Sequence, residues 1–225
     1  TGELRPGSWL ETGADEQAHV VVAGIGHIEL GPRSRMQLRT TQEAEHRIRL
    51  DRGRMDAEIE APPRVFITET PAGDAVDLGC AYSLIVNEQG RGLLHVTAGW
   101  VALEGPGRQA LVPVDGRCEA RRGIGPGTPH FASASPVLLA ALRRLDFQDG
   151  GTEALALVLE EARRRDTLTL WHLLGDRRRT EGERARVLDR IEALQDLPVE
   201  FTRAGLLGVD DAERERLYDV LSIYW

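Results

Sequence analysis

The feature that most constrains this chain is a change of side-chain rhythm near Ala134, from apolar residues at every second position to apolar residues at every third or fourth. From Ala18 to about Arg122 the chain reads as short alternating runs. They are His19-Val-Val-Val22, His27-Ile-Glu-Leu30, Arg35-Met-Gln-Leu38, Arg47-Ile-Arg-Leu50, Met55-Asp-Ala-Glu-Ile59, Val65-Phe-Ile-Thr68, Tyr82-Ser-Leu-Ile-Val86, Leu93-Leu-His-Val96, Trp100-Val-Ala-Leu103 and Ala110-Leu-Val-Pro113. Period two places Ile28 and Leu30 on one face and His27 and Glu29 on the other, as a half-buried strand requires. The breaks between runs are turn chemistry: Gly24, Gly26, Gly31-Pro32, Gly53, Pro62-Pro63, Gly73-Asp74, Asn87, Gly90, Gly105-Pro106-Gly107 and Asp115-Gly116. This cadence predicts an all-β unit. With no helical spacer to carry a crossover onto an open parallel sheet, a β-sandwich or a solenoid-like stack fits better than a doubly wound fold.

Gly123-Ile-Gly-Pro-Gly-Thr-Pro129 is too rich in Gly and Pro for a helix or an inner strand, so a linker is expected there, running to about Ala134. Beyond it, Ser135-Pro136 offers an N-cap followed by proline at the first helical position, and Leu138, Leu139, Leu142 and Leu145 recur at helical spacing. Further helices are expected around Leu155–Ala162, around Leu170–Leu174 after an Asp166 cap, around Val187–Leu194 and around Leu217–Tyr224. Thr180-Glu-Gly-Glu183 has the capping-box form, and Asp210-Asp-Ala-Glu213 is an acid-led variant of it. The expected organisation is therefore a β domain over 1–134, with the Gly/Pro linker at its end, and an all-α domain of antiparallel helix pairs over 135–225. Each side of that boundary carries 14 Arg and 18 acids, so neither is a charged tail of the other.

Composition removes several functional classes. The net charge is −8 and aromatics are 5%, so neither a phosphate-tracking surface nor a base-stacking platform is expected, and nucleic acid is not a partner. All 28 basic residues are Arg, which excludes lysine nucleophiles, Schiff bases and the phosphate-binding lysine of nucleotide-binding loops. No apolar run approaches the ~18 residues of a membrane span. The chain begins at Thr1 rather than Met, so an upstream segment is expected to have been removed.

Catalytic signals are weak. Gly24-Ile-Gly26 lacks the third glycine of a dinucleotide fingerprint, since position 29 is Glu in a continuing strand, and reads as turn glycines. Gly123, Gly125 and Gly127 could offer N–H groups to an anion, but no helix starts there, and Pro126 and Pro129 remove donors. His19, His27, His46, His95, His130 and His172 are scattered and read as solvated or edge residues. Glu43-Ala-Glu-His46 has the spacing of a di-iron ligand pair, but as a single copy in β context. Trp100 and Trp171 read as core; Trp9 and Trp225 lie near the termini, where sequence does not decide. No catalytic, cofactor-binding or metal residue is assigned, and no cofactor is expected.

Three stretches together resemble the FecR family: Thr70-Pro71; Ala75-Val-Asp-Leu-Gly-Cys-Ala-Tyr-Ser-Leu-Ile-Val86; and Gly92-Leu-Leu-His-Val-Thr-Ala-Gly-Trp-Val-Ala-Leu103. Gly26-His-Ile-Glu-Leu30 and Ser34-Arg-Met-Gln-Leu38 resemble earlier strands of the same domain, so the similarity covers about Trp9 to Val114. It departs where Leu78-Gly79-Cys80 stands for the family's Arg-Gly-Thr.

The resemblance implies a non-enzymatic, extracytoplasmic regulator or sensor. Such a protein would be periplasmic, tethered to the inner membrane through an N-terminal segment outside this sequence, and would bind protein partners to relay an envelope signal, with regulation of a sigma factor as one route. A glycan-binding or hydrolytic protein with a shallow β-surface site, and a cell-envelope structural protein, are the alternatives; a deep pocket with convergent carboxylates would favour the former. Cys80 and Cys118, 38 residues apart, fit either a disulfide or two buried thiols, and the implied compartment favours the disulfide.

Overall fold

The computed structural model describes residues 2–22, 24–208 and 211–225. The chain divides into two units, Thr1–Gly127 and Thr128–Trp225. The first unit consists of strands β1 (Trp9–Glu11), β2 (Ala18–Val22), β3 (Gly26–Leu30), β4 (Arg35–Gln42), β5 (Glu45–Ile59), β6 (Phe66–Thr70), β7 (Gly73–Asp77), β8 (Ala81–Val86), β9 (Gly92–Ala98), β10 (Trp100–Gly105), β11 (Arg108–Pro113), β12 (Gly116–Arg121) and β13 (Gly125–Pro126).

The 15-residue β5 organises this unit. Its first half lies between β4 and β6, and its second half between β3 and β8. Two half-sheets therefore share one strand, in the orders β1-β4-β5-β6-β7-β10-β11 and β2-β3-β5-β8-β9-β12-β13. Ile48, Leu50, Phe66, Val101 and Val112 from one half and Ile28, Leu30, Met55, Tyr82, Leu84 and Leu94 from the other join a single buried cluster.

Gly53, expected as a break between two strands, is instead the bend inside β5. Its φ is +99°, and a side chain there would overlap Ser34, whose hydroxyl bonds the Arg54 N–H (3.0 Å) and carbonyl (3.1 Å). The bend is geometrically required. β6 pairs parallel with His46–Arg49, yet only residues 60–65 connect Ile59 to Phe66. A straight strand from His46 to Ile59 would run about 43 Å, whereas seven peptide steps reach about 25 Å at most.

Strands β1, β7, β12 and β13 go beyond the expected runs. β1 and β12 lie outside them, and β7 begins at Gly73-Asp74, where a turn is expected. Within the Gly/Pro-rich segment, Gly125-Pro126 pairs with Arg121 and Ala120 at a sheet edge, where a residue without an N–H is tolerated.

The second unit contains α1 (Pro136–Phe147), α2 (Gly151–Glu161), a 3₁₀ turn (Arg164–Asp166), α3 (Thr167–Leu174), α4 (Glu181–Leu194), α5 (Arg203–Leu207) and α6 (Asp211–Ser222). The Ser135 hydroxyl accepts the Leu138 N–H at 3.1 Å, with Pro136 opening α1. Thr180 and Glu183 form the expected reciprocal cap of α4. Asp166 precedes α3 but does not cap it through its side chain: its carboxylate turns back to accept the Arg163 N–H at 2.9 Å. The expected cap at Asp210 lies outside the described residues. α5 carries too few apolar repeats to be foreseen. Leu138, Leu142, Leu155, Val158, Val187, Leu188, Ile191, Leu217 and Leu221 close one core around α3, in which only His172 escapes full burial. Trp225 is tied to it by a 3.0 Å bond from its ring N–H to the Thr167 hydroxyl.

Candidate interaction surface

The step Leu78-Gly79-Cys80, which joins β7 to β8, is built around a fully buried carboxylate. Asp77 accepts the Gly79 N–H at 2.7 Å on one oxygen and the Cys80 thiol at 2.6 Å on the other. Gly79 has φ +88°, and Gly99 packs so close that a side chain there would meet the Gly79 carbonyl. Beside this step the Thr68 and Tyr82 hydroxyls bond each other at 2.9 Å in the core. Burial raises the pKa of Asp77 although both donors oppose it. Burial, then the Asp77 carboxylate, pushes the Cys80 thiol far up, so it stays protonated and acts as a hydrogen-bond donor rather than a nucleophile. The S–H of Cys80 thus secures the second oxygen of the Asp77 carboxylate.

The outward faces are charged and largely self-neutralised. On the first half-sheet Arg47 reaches Glu69 at 3.3 Å and Asp74 at 3.2 Å, and Arg35 pairs with Glu11 at 3.0 Å. Burial and the neighbouring Glu69 raise the pKa of Asp74. On the second, strand register lines up His19, Glu29, Asp56, Ser83, His95 and Arg117 in one row. Burial pushes Asp56 up, but the Arg54 fork, at 2.9 and 3.0 Å, and the Ser83 hydroxyl outweigh it and hold the carboxyl below its usual range. Exposed pairs of this kind contribute little stability. Ile85 and Leu93, register partners on β8 and β9, remain about 40% exposed among them.

The other residues singled out in the sequence are not brought together. Gly24 and Gly26 serve the turn between β2 and β3, and the Gly127 N–H bonds the Glu119 carbonyl at 2.8 Å. Cys80 and Cys118 are both buried and not joined in a disulfide, which corrects that expectation; the Cys118 thiol faces the Gly127 carbonyl at 3.3 Å. His46 is 5% exposed with Nδ1 3.0 Å from the Thr41 hydroxyl, so it is a core residue rather than a solvated one. Trp171 is core, with its ring N–H on the Arg214 carbonyl at 2.9 Å. Trp100 is half-buried, and Trp9 is 40% exposed under the Arg35 guanidinium. In the helical unit an open groove of about 330 Å³ includes Gln148, Asp149, Asp176, Arg178 and Arg179, and its main charges are already spent: Asp176 holds Arg178 in a two-pronged pair at 2.8 and 2.7 Å. Among the described residues no group of three or more His, Cys, Asp or Glu is placed to share a metal ion, and no helix is long and apolar enough to cross a membrane.

The family model described as FecR protein matches residues 8–102. The β unit holds a FecR domain. The match takes in β1 to β9 and the first half of β10, including the Asp77–Cys80 step. Two crystal structures of a Parabacteroides distasonis ATCC 8503 protein, provisionally described as an anti-sigma factor, are also similar. Identities are 14 and 15% and the TM-score is 0.46 for both; the alignments cover 52% of this chain and 57 and 56% of those. The alignments therefore span little more than half the length of those structures. No curated protein matches.

What sequence reasoning missed on the surface is the open edge at β2. Only its charge was readable beforehand, since no arginine occurs between Gly13 and Leu30 in a chain otherwise rich in it; that β2 pairs with β3 alone among the described residues was not.

Proposed function

We propose that this protein is a non-enzymatic regulator of FecR type that works outside the cytoplasm, binding protein partners and relaying an envelope signal, with a sigma factor as one downstream target. The observation that carries this reading is the FecR match over residues 8–102. The chemistry agrees with it: Asp77, Cys80 and Tyr82, whose pKa values burial raises, bond one another or Thr68 inside the core rather than lining a cleft. In this reading the tether is supplied by sequence preceding Thr1, and the helical unit over the C-terminal portion acts as an adaptor.

Two experiments test it. Deleting the protein from its source cell should change a set of transcripts that share one promoter sequence, and an unchanged transcript profile under envelope stress would defeat the regulatory role. A reporter active only outside the cytoplasm, fused after Trp225 of the full-length gene, should be active; silence with normal expression would defeat the localisation.

A further inference from the structure

Among the described residues the β unit has four edge strands, and three carry features that discourage further pairing. β1 is three residues long, β11 bears Arg108 and ends at Pro113, and β13 is only Gly125-Pro126. β2 has none of these. Ala18-His-Val-Val-Val22 contains no proline, arginine or acid, spans five residues and pairs only with β3, so its other side presents unpaired N–H and C=O groups.

The two faces of β2 say what would fit beside it. Ala18, Val20 and Val22 are half-buried against the core, whereas His19 and Val21 point outward, Val21 at 71% exposure. The core is thus incompletely covered along this edge, and a neighbouring strand with apolar residues at alternate positions would complete it.

Charge selects the occupant. Asp15, Glu16 and Glu29 are exposed along the β2–β3 hairpin, Glu58 is exposed opposite His27 in the next strand, and residues 13–30 hold no arginine although the chain has 28 basic residues. A second copy would set these acids against themselves. We propose that β2 is a strand-addition site for an extended protein segment in which apolar and basic residues alternate. The apolar residues would extend the core at Val20 and the basic ones would meet the Glu29 side, while main-chain bonds supply affinity. This inference rests on the partner-binding reading and specifies its site and partner class.

The test uses the full chain and an end-capped octapeptide of alternating valine and arginine. The peptide should bind and slow amide exchange across residues 18–22. Its affinity should fall about tenfold or more in the Asp15→Arg/Glu29→Arg variant, both exposed positions, and a peptide N-methylated at alternate residues should not bind. Equal binding by the N-methylated peptide, protection outside residues 18–22, or equal binding by a valine–glutamate peptide would overturn the proposal. So would a peptide-free dimer that protects the same amides, since a second copy would then be the occupant. Failure here with a positive transcript test leaves the regulatory reading standing and removes only this site.

Discussion

In the β unit, Ile48 and Met55 lie on one strand but belong to different half-sheets, and the residues beside them come from Thr68 and Leu84, 20 and 29 positions away. In the helical unit, Leu138 and Leu142 enter the core from one face of one helix, and the hydroxyl that starts that helix lies three residues before Leu138. The β core is thus assembled from distant pairings that pass through one bent strand, whereas the helices are set locally and then packed. A perturbation at the hub of the first should spread through its unit, and one at a cap in the second should stay with its helix.

Gly53→Val is the strongest way to sharpen that contrast. Forcing a β-branched residue to φ +99° and into Ser34 should cost roughly 3–5 kcal/mol. Hydrogen exchange followed by mass spectrometry should then show amides losing protection throughout Thr1–Gly127 while α1 and α4 keep theirs. Loss confined to residues 50–56 would break the picture of β5 as a hub. The reciprocal change, Leu188→Ala at a fully buried site, should cost about 2–5 kcal/mol. Its loss of protection should fall within Thr128–Trp225, and equal loss in the β strands would show that the two units do not unfold separately.

How much of this was legible follows from the same contrast. Strand and helix rhythm, the Ser135 cap and the Thr180–Glu183 box were readable because each signal lies within four residues. The bend at Gly53 also left a trace. Buried positions are even-numbered through His46, Ile48 and Leu50 and odd-numbered through Met55, Ala57 and Ile59, a change of phase that marks passage from one half-sheet to the other rather than a turn. The same even phase placed His46 inside, against the general expectation for histidine. The parallel pairing of β5 with β6 was not legible, nor was the open side of β2, because both depend on which distant strand arrives or fails to arrive. Nor was the burial of Asp77: β7 buries Ala75, Val76 and Asp77 in succession, so both faces are covered and alternation carries no information there.

A smaller effect tests the local half of the comparison. Ser135→Ala removes the acceptor for the Leu138 N–H and a 2.7 Å donor to Glu161, and should cost about 1 kcal/mol. Exchange should quicken in the first turn of α1 and remain unchanged in α4, whose cap is its own.

The smallest effect, at acid pH, separates two aspartates within the β unit. Asp77 has a folded pKa raised by burial from the ordinary 3.8. The folded form therefore holds its proton more tightly, and stability that is fully present below 3.8 is lost as pH rises through the raised value. Asp56 is shifted the other way, the Arg54 and Ser83 bonds outweighing burial, so its contribution is present above 3.8 and lost as pH falls through the lowered value. Asp77→Asn keeps an acceptor for the Gly79 N–H and should lie within about 1 kcal/mol of the parent in acid, then gain on it as pH rises. Asp56→Asn should trail the parent at neutral pH and converge with it in acid. Urea denaturation of both variants across the acid-to-neutral range reads the two slopes directly. Slopes of the same sign would mean that the Cys80 thiol and Gly79 N–H stabilise the Asp77 carboxylate enough to offset its burial, making the Leu78-Gly79-Cys80 step a source of stability rather than a cost to the fold.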